Sequence, residues 1–211
     1  MIEAPHFITI EGIDGCGKST QSGRLAQWLE AKTGRITIRT YEPGGWPEGG
    51  MFREFILRGK KLGEMTELML FLADRSEHVK RVILPSLRQG SNVICERYND
   101  STLAYQSSGQ ELNPSHVRRI IRACNFPEPN VKILLDISPE LAMNRVKSRS
   151  SNPDKFEAEG LPLMRKVSSF YRLIAEDQKE QYIVIKCDGL NEEEVFASIV
   201  EGLEGRIWRF R

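Results

Sequence analysis

The chain has 211 residues, with 30 Lys plus Arg against 29 Asp plus Glu and a formal net charge of +1. That balance argues against a chain-wide electrostatic grip on nucleic acid or an anionic membrane, so neither is expected as a partner. With 40% hydrophobic and 28% charged residues, the usage is that of a globular domain, not a disordered chain; no apolar run approaches the roughly 18 residues of a membrane span, and the length suits a single domain with its own core.

In chain order, residues 6–10 form a short apolar run ending in Glu11-Gly12, which reads as a buried first strand. Residues 20–32 follow as a helix, with Leu25, Ala26, Trp28 and Leu29 as a partial apolar stripe and Gly34 as its stop. Residues 36–41 alternate like a second strand, and the four glycines and two prolines of 42–50 predict a loop. Residues 64–89 look helical, with Pro85 expected to kink or end the helix. Residues 93–95 are a third strand. Asn113-Pro114 has the cap signature of a helix running to about Cys124. Residues 131–137 are a fourth strand, and Ser138-Pro139 opens another helix. The polar stretch 148–160, with Pro153 and Gly160, reads as a mobile excursion over a site. Residues 182–187 are a fifth strand, and Asn191 caps a last helix whose first turn carries Glu192, Glu193 and Glu194. Five apolar runs separated by helices imply an α/β fold with a doubly wound, five-stranded, mostly parallel sheet.

Cys16, Cys95, Cys124 and Cys187 include no C-x-x-C pair, which leaves a zinc ribbon or redox motif unsupported. Cys95, Cys124 and Cys187 read as reduced core thiols. The start, Met1 to His6, lacks the basic stretch and apolar core of a secretory signal, so the expected compartment is the cytoplasm.

The chemistry is concentrated in Gly12-Ile13-Asp14-Gly15-Cys16-Gly17-Lys18-Ser19, followed by Thr20, which fits G-x-x-x-x-G-K-[ST], the phosphate-binding P-loop. Glycines at 12, 15 and 17 let successive backbone N–H groups turn inward on phosphate oxygens, and the next helix aims its N-terminus at the same anion. Lys18 supplies a charge for the β- and γ-phosphates, and Ser19 a hard oxygen for magnesium. Cys16 reads as a filler, because phosphoryl transfer needs no protein nucleophile. A GTP switch is disfavoured: there is no Asn-Lys pair, and the only Asp-x-x-Gly lies within the P-loop.

Five patches in order resemble the thymidylate kinase family: residues 12–20; Glu42-Pro43-Gly44-Gly45; Phe71-Leu72-Ala73-Asp74-Arg75; Arg97-Tyr98 with 100–106; and Asp154-Lys155-Phe156-Glu157. The resemblance implies a P-loop NTPase fold with a lid at about 145–160, covering 1–211 as one nucleoside monophosphate kinase domain. It implies MgATP-dependent phosphorylation of dTMP to dTDP, on the route to dTTP, by a homodimer. Phe71 would stack on thymine, with Arg75 and Gln106 on its edge and Ser101 and Thr102 lining its pocket. Arg97 and Arg53 would hold the monophosphate. Asp14 would bind the sugar 3′-hydroxyl, Tyr105 would pack near C2′, and Glu42 would order the acceptor pocket. The family delivers a catalytic arginine either from the P-loop, at the position of Gly15, or from the lid. Gly15 matches the lid type, mostly bacterial, with Arg149 as the main cation and Arg145 as the second.

Two strands end in an acid suited to magnesium, Glu96 and Asp136. The resemblance favours Glu96, where the family normally has the shorter Asp. Tyr41 is a second departure, standing where an arginine commonly precedes Glu-Pro-Gly-Gly. The alternatives are a kinase for another nucleotide or nucleoside, and a P-loop protein that binds ATP without transferring phosphate. The apolar, basic tail 207–211 is expected to dock on the body or on a partner.

Overall fold

Strand β1 (Phe7–Glu11) is buried at every position, as its unbroken apolar character requires of a strand covered on both faces. The computed structural model describes residues 4–108, 112–149 and 153–207, so the expected lid residues 150–152 and the tail residues 208–211 lie outside the described residues. β1 is the centre of a five-stranded sheet in the order β2-β3-β1-β4-β5, with every pair parallel. β3 (Asn92–Glu96) and β4 (Val131–Asp136) flank it and are almost wholly buried. The edge strands β2 (Thr37–Tyr41) and β5 (Tyr182–Lys186) mix buried and exposed positions instead.

Both faces are covered. Phe7, Val93 and Cys95 pack with Val79 and Ile83 on one face, while the alternate residues Ile8, Ile10 and Ile94 join Leu25 and Leu29 of α1 (Lys18–Thr33) in the larger core. Consecutive strands β3 and β4 lie on opposite sides of β1, which leaves a crevice at the carboxyl ends of the central strands.

The helices depart from the sequence expectation in four places. The loop predicted over 42–50 stops early, because α2 (Gly49–Arg58) begins on the glycine pair. Pro85 does not end its helix. α3 (Glu64–His78) widens into a π turn (Val79–Ile83), and Pro85 then occupies the first turn of α4 (Leu84–Arg88), where its missing N–H costs little. α5 (Asn99–Ser108) and α6 (Pro114–Ala123) follow, the second capped by Asn113 Oδ1, which accepts from Ser115 N at 2.9 Å. After α7 (Pro139–Arg149), the predicted excursion is packed in its second half. Asp154 and Glu157 close a capping box on the short α8 (Lys155–Ala158), and α9 (Gly160–Asp177) follows at once. Asn191 caps α10 (Glu192–Ile207) as expected. Cys124 is the fourth departure: it is exposed, because the stripe of α6 buries Val117 and Ile121 and turns Cys124 outward. No helix among the described residues is long and apolar enough to cross a membrane.

Candidate active site

The chain leaves β1 through Gly12 and enters α1 at Lys18, wrapping a loop around one wall of a cleft of about 1020 Å³. Asp14, Gly15, Cys16, Gly17, Lys18 and Ser19 line that wall, with Thr20 beyond them. Gly12 and Ile13 do not: Ile13 is buried in the core, so only its backbone belongs to the loop. Lys18 Nζ folds back to donate to the carbonyls of Gly12 and Ile13, both at 2.9 Å. Cys16 packs as a filler and is itself buried. Gly15 has φ +82, and a Cβ there would lie 2.4 Å from the Ala142 carbonyl oxygen of α7.

Opposite the loop, β3 ends at Glu96 and turns through Arg97, whose φ of +67 is unusual outside glycine. Arg97 Nη2 pairs with Asp14 Oδ1 at 2.7 Å, Nη1 donates to Gly12 O at 3.3 Å, and the guanidinium lies 5.0 Å from the Tyr105 ring centroid. Tyr105 OH also donates to Asp14 Oδ2 at 3.2 Å. Burial alone would raise the Asp14 carboxyl pKa, but Arg97 and Lys18 outweigh it and hold the group well below the usual carboxylate range. Arg53 reaches the cleft from α2, donating to Pro43 O at 2.9 Å and stacking on Tyr41 at 5.2 Å. Tyr41, the residue found where the family commonly has an arginine, thus serves as the platform for another arginine.

The base-sized end of the cleft is built by α3 and α5. Phe71 is half-buried and lines the cleft. Its ring centroid lies 6.0 Å from that of Phe156, which lies 5.8 Å from that of Tyr105. Arg75 is fully buried. Its Nε donates to Glu42 Oε2 at 2.7 Å and its Nη2 to Thr102 Oγ1 at 3.0 Å, while Nη1 has no partner. Gln106 is buried in the same wall with neither amide atom partnered. Glu42 also meets His78 Nδ1 at 2.8 Å, so it is a buried brace beneath the pocket. Ser101 lines the cleft, but its hydroxyl is engaged by Glu11 Oε2 at 2.5 Å and Tyr171 OH at 2.6 Å.

The oxygen donors suit a hard cation. Ser19 Oγ and Glu96 Oε2 lie 2.6 Å apart at the cleft wall, and a hydroxyl with a carboxylate is the donor set magnesium prefers. The alternative acid, Asp136, is outside the cleft and bound by Arg172 Nε at 2.9 Å and Lys186 Nζ at 2.5 Å. On the lid side, Arg145 Nη1 approaches Gly15 O at 3.5 Å, and the exposed Arg149 pairs with Glu157 at 2.7 Å. Both arginines line the cleft.

Several residues at the site carried no role in the sequence reading. Phe156 completes the aromatic wall; the Asp154–Glu157 capping signature was the available sign that its segment is ordered. Asp74 accepts from Gly44 N at 2.9 Å and Trp46 Nε1 at 2.8 Å, fixing the glycine-rich loop to α3. Ser22 and Arg39 surround Glu96, and nothing in local spacing joins them.

This geometry has counterparts. The family model for thymidylate kinase matches residues 10–199. The chain is 40% identical over 185 residues to a thymidylate kinase of Prochlorococcus marinus (strain MIT 9312), covering 84% of this chain and 86% of that protein. It is 34% identical over 204 residues to a thymidylate kinase of Jannaschia sp. (strain CCS1), covering 96% and 97%. Among solved structures, the thymidylate kinase from Ehrlichia chaffeensis superposes with a TM-score of 0.77 at 28% identity, covering 96% of this chain and 99% of that one.

Proposed function

The chain belongs to the thymidylate kinase family, and from that premise we propose how its own residues carry the γ-phosphoryl group of ATP to dTMP. It is an enzyme with the P-loop NTPase fold, and it phosphorylates dTMP to dTDP. The supporting observation is Gln106: a buried carboxamide with both amide atoms unpartnered, in the wall of the same cleft that Arg75 lines, whose Nη1 is also unpartnered. Buried polar atoms without partners are costly. The N3–H and carbonyl edge of thymine offers one donor and acceptors to satisfy them, between the rings of Phe71, Phe156 and Tyr105.

In this reading the acceptor phosphate enters between Arg97 and Arg53, and Asp14 takes the sugar 3′-hydroxyl. Tyr105 fills the space beside C2′, against a ribose hydroxyl. On the donor side, backbone amides of 13–19 cup the triphosphate, and Lys18 turns from its two carbonyls toward the β- and γ-phosphates. Ser19 and Glu96 would hold magnesium, which supplies charge neutralisation on the phosphate oxygens. An acceptor phosphate oxygen forms the new bond to Pγ as the bond from Pγ to the β–γ bridging oxygen breaks, and ADP carries off that electron pair. The acceptor is already ionised, so no general base is required. Arg149 and Arg145 close over the moving group from the lid, stabilising its charge and excluding water. Residues 1–211 act as one domain in the cytoplasm, with ATP and dTMP as the partners and no nucleic acid.

Phosphoryl transfer to a panel of monophosphates tests this site. dTMP is expected to exceed dCMP, dGMP and AMP in kcat/KM by orders of magnitude, and equal rates would remove the thymine assignment. Lys18→Ala is expected to abolish most turnover. A homodimer is the further reading, supported by exposed Met51 and Phe55 on α2 and Met65 and Met69 on the adjacent α3, an apolar face at helical spacing. Sedimentation as a monomer at micromolar concentration would exclude it.

A further inference from the structure

Glu96 has one methylene more than the aspartate usual at the end of this strand, and therefore one more rotor to hold still. Its carboxylate is nevertheless held at both oxygens by hydroxyls of α1: Ser19 Oγ donates to Oε2 and Ser22 Oγ to Oε1, each at 2.6 Å. Ser19 and Ser22 lie three residues apart on one helix face. A carboxylate must reach past the first turn to span both, and a glutamate is long enough to do so.

Arg39 closes the cluster from β2. Its Nη2 donates to Ser22 Oγ at 3.0 Å and Ser19 O at 3.1 Å, and stands 3.7 Å from Glu96 Oε1. The guanidinium lies alongside α1 at Gly23, where a Cβ would meet Arg39 Nη1 at 3.4 Å and Cζ at 3.5 Å, ordinary van der Waals contact. Arg39, Ser19 and Glu96 all line the cleft.

We propose that Arg39 and Ser22 are positioning residues for the divalent-cation site, fixing the Glu96 carboxylate so that Oε2 stays beside the Ser19 hydroxyl. Together they let a longer acid occupy the place of a shorter one. The inference rests on the reading of Ser19 and Glu96 as the magnesium-side oxygens. Ligating carboxylates depend on such outer partners, whose loss typically weakens metal binding by about 10- to 100-fold. The guanidinium also repels a dication, but it is half exposed and solvent screens that repulsion. Ser22 carries no charge, so its removal reports on positioning alone.

The test is Mn²⁺ binding to the full chain with a non-hydrolysable ATP analogue, followed by the electron paramagnetic resonance signal of free Mn²⁺. Ser22→Ala and Arg39→Met are each expected to weaken Mn²⁺ about tenfold, with the KM for dTMP unchanged. Arg39→Lys, which keeps the charge but cannot bridge the same three acceptors, is expected to fall between. Glu96→Asp is expected to weaken Mn²⁺ in the unaltered chain and to weaken it less in the Ser22→Ala, Arg39→Met background, where the contacts a short acid forfeits are already gone. If Glu96→Gln leaves Mn²⁺ binding intact, the reading of Glu96 itself fails. If Glu96→Gln weakens it while Ser22→Ala and Arg39→Met bind as well as the unaltered chain or better, only the positioning inference is overturned.

Discussion

Arg97 and Asp14 face each other at 2.7 Å, the one from the turn after β3 and the other from the loop after β1. The pair joins the two walls of the cleft before any ligand arrives, and Gly12 O and Tyr105 hold the guanidinium in place. On the proposed reading, an incoming monophosphate would meet an arginine already oriented, and a sugar hydroxyl a carboxylate kept ionised by Arg97 and Lys18. Asp14→Asn keeps the shape and removes the charge. Its kcat/KM for dTMP is expected to fall roughly 10- to 100-fold, the worth of a charged hydrogen bond, with the KM for ATP little changed. Loss of ATP affinity alone would move Asp14 to the donor side.

Gln106→Leu replaces the unpartnered carboxamide with an apolar group of similar size. The empty protein loses two unsatisfied atoms, so its melting temperature is expected to hold or rise. The liganded protein loses base-edge recognition, so kcat/KM for dTMP is expected to fall about 100-fold and the preference over dCMP to shrink. Competition between the two nucleotides in one reaction reads both effects. An unchanged ratio would place base discrimination elsewhere.

Phe156 lies in the proposed lid segment yet packs against Phe71 and Tyr105, and Lys155 beside it pairs with Glu67 at 2.5 Å. Glu67 and Phe71 lie one turn apart on α3, so side chains of α8 reach the α3 face that carries Phe71. Phe156→Ala is expected to raise the KM for dTMP about 3- to 10-fold, the range of one aromatic contact. It is also expected to raise ATP hydrolysis in the presence of dTMP, because the lid loses its seat. Initial-rate kinetics with dTDP and free phosphate measured separately distinguish the two.

Glu11 ties stability to pH. Burial, with Asp100 adding to it, pushes its pKa from 4.5 up to about 7, against the opposing pull of Ser101, Arg97 and Lys132. Tyr171 OH also donates to Oε2 at 3.2 Å, and Oε1 has no partner. The folded state thus holds a proton that the unfolded chain releases at lower pH, so this contribution is full below about 4.5 and is lost as pH rises through about 7. Glu11→Gln removes the dependence. Relative to the unaltered chain, it is expected to gain on the order of 3 kcal/mol at pH 8 compared with pH 4.5. Urea unfolding at the two values checks it, and parallel curves for both proteins would exclude Glu11 as the cause.

The legible parts of this protein are those where one local pattern fixes the structure. The glycine spacing of 12–17 between an apolar run and a helix left few alternatives, and Asn113-Pro114 and Asn191 cap where their chemistry predicts. Long-range partnership was not legible. Arg75 would ordinarily be read as a surface residue, yet it is buried because Glu42, 33 positions away, neutralises it. Pro85 reads as a residue that kinks or ends its helix, whereas the helix widens into a π turn just before it and then resumes. The meeting of Ser22, Arg39 and Glu96 joins three elements whose separation along the chain hides it.

Gly15 has one further consequence. Its α-carbon is seated so closely on the backbone of Ala142 that any side chain there would force α7 away from the loop. α7 is the helix that bears Arg145 and Arg149. A side chain in the loop at position 15 and the present seat of α7 are therefore sterically incompatible: one can be had only by displacing the other.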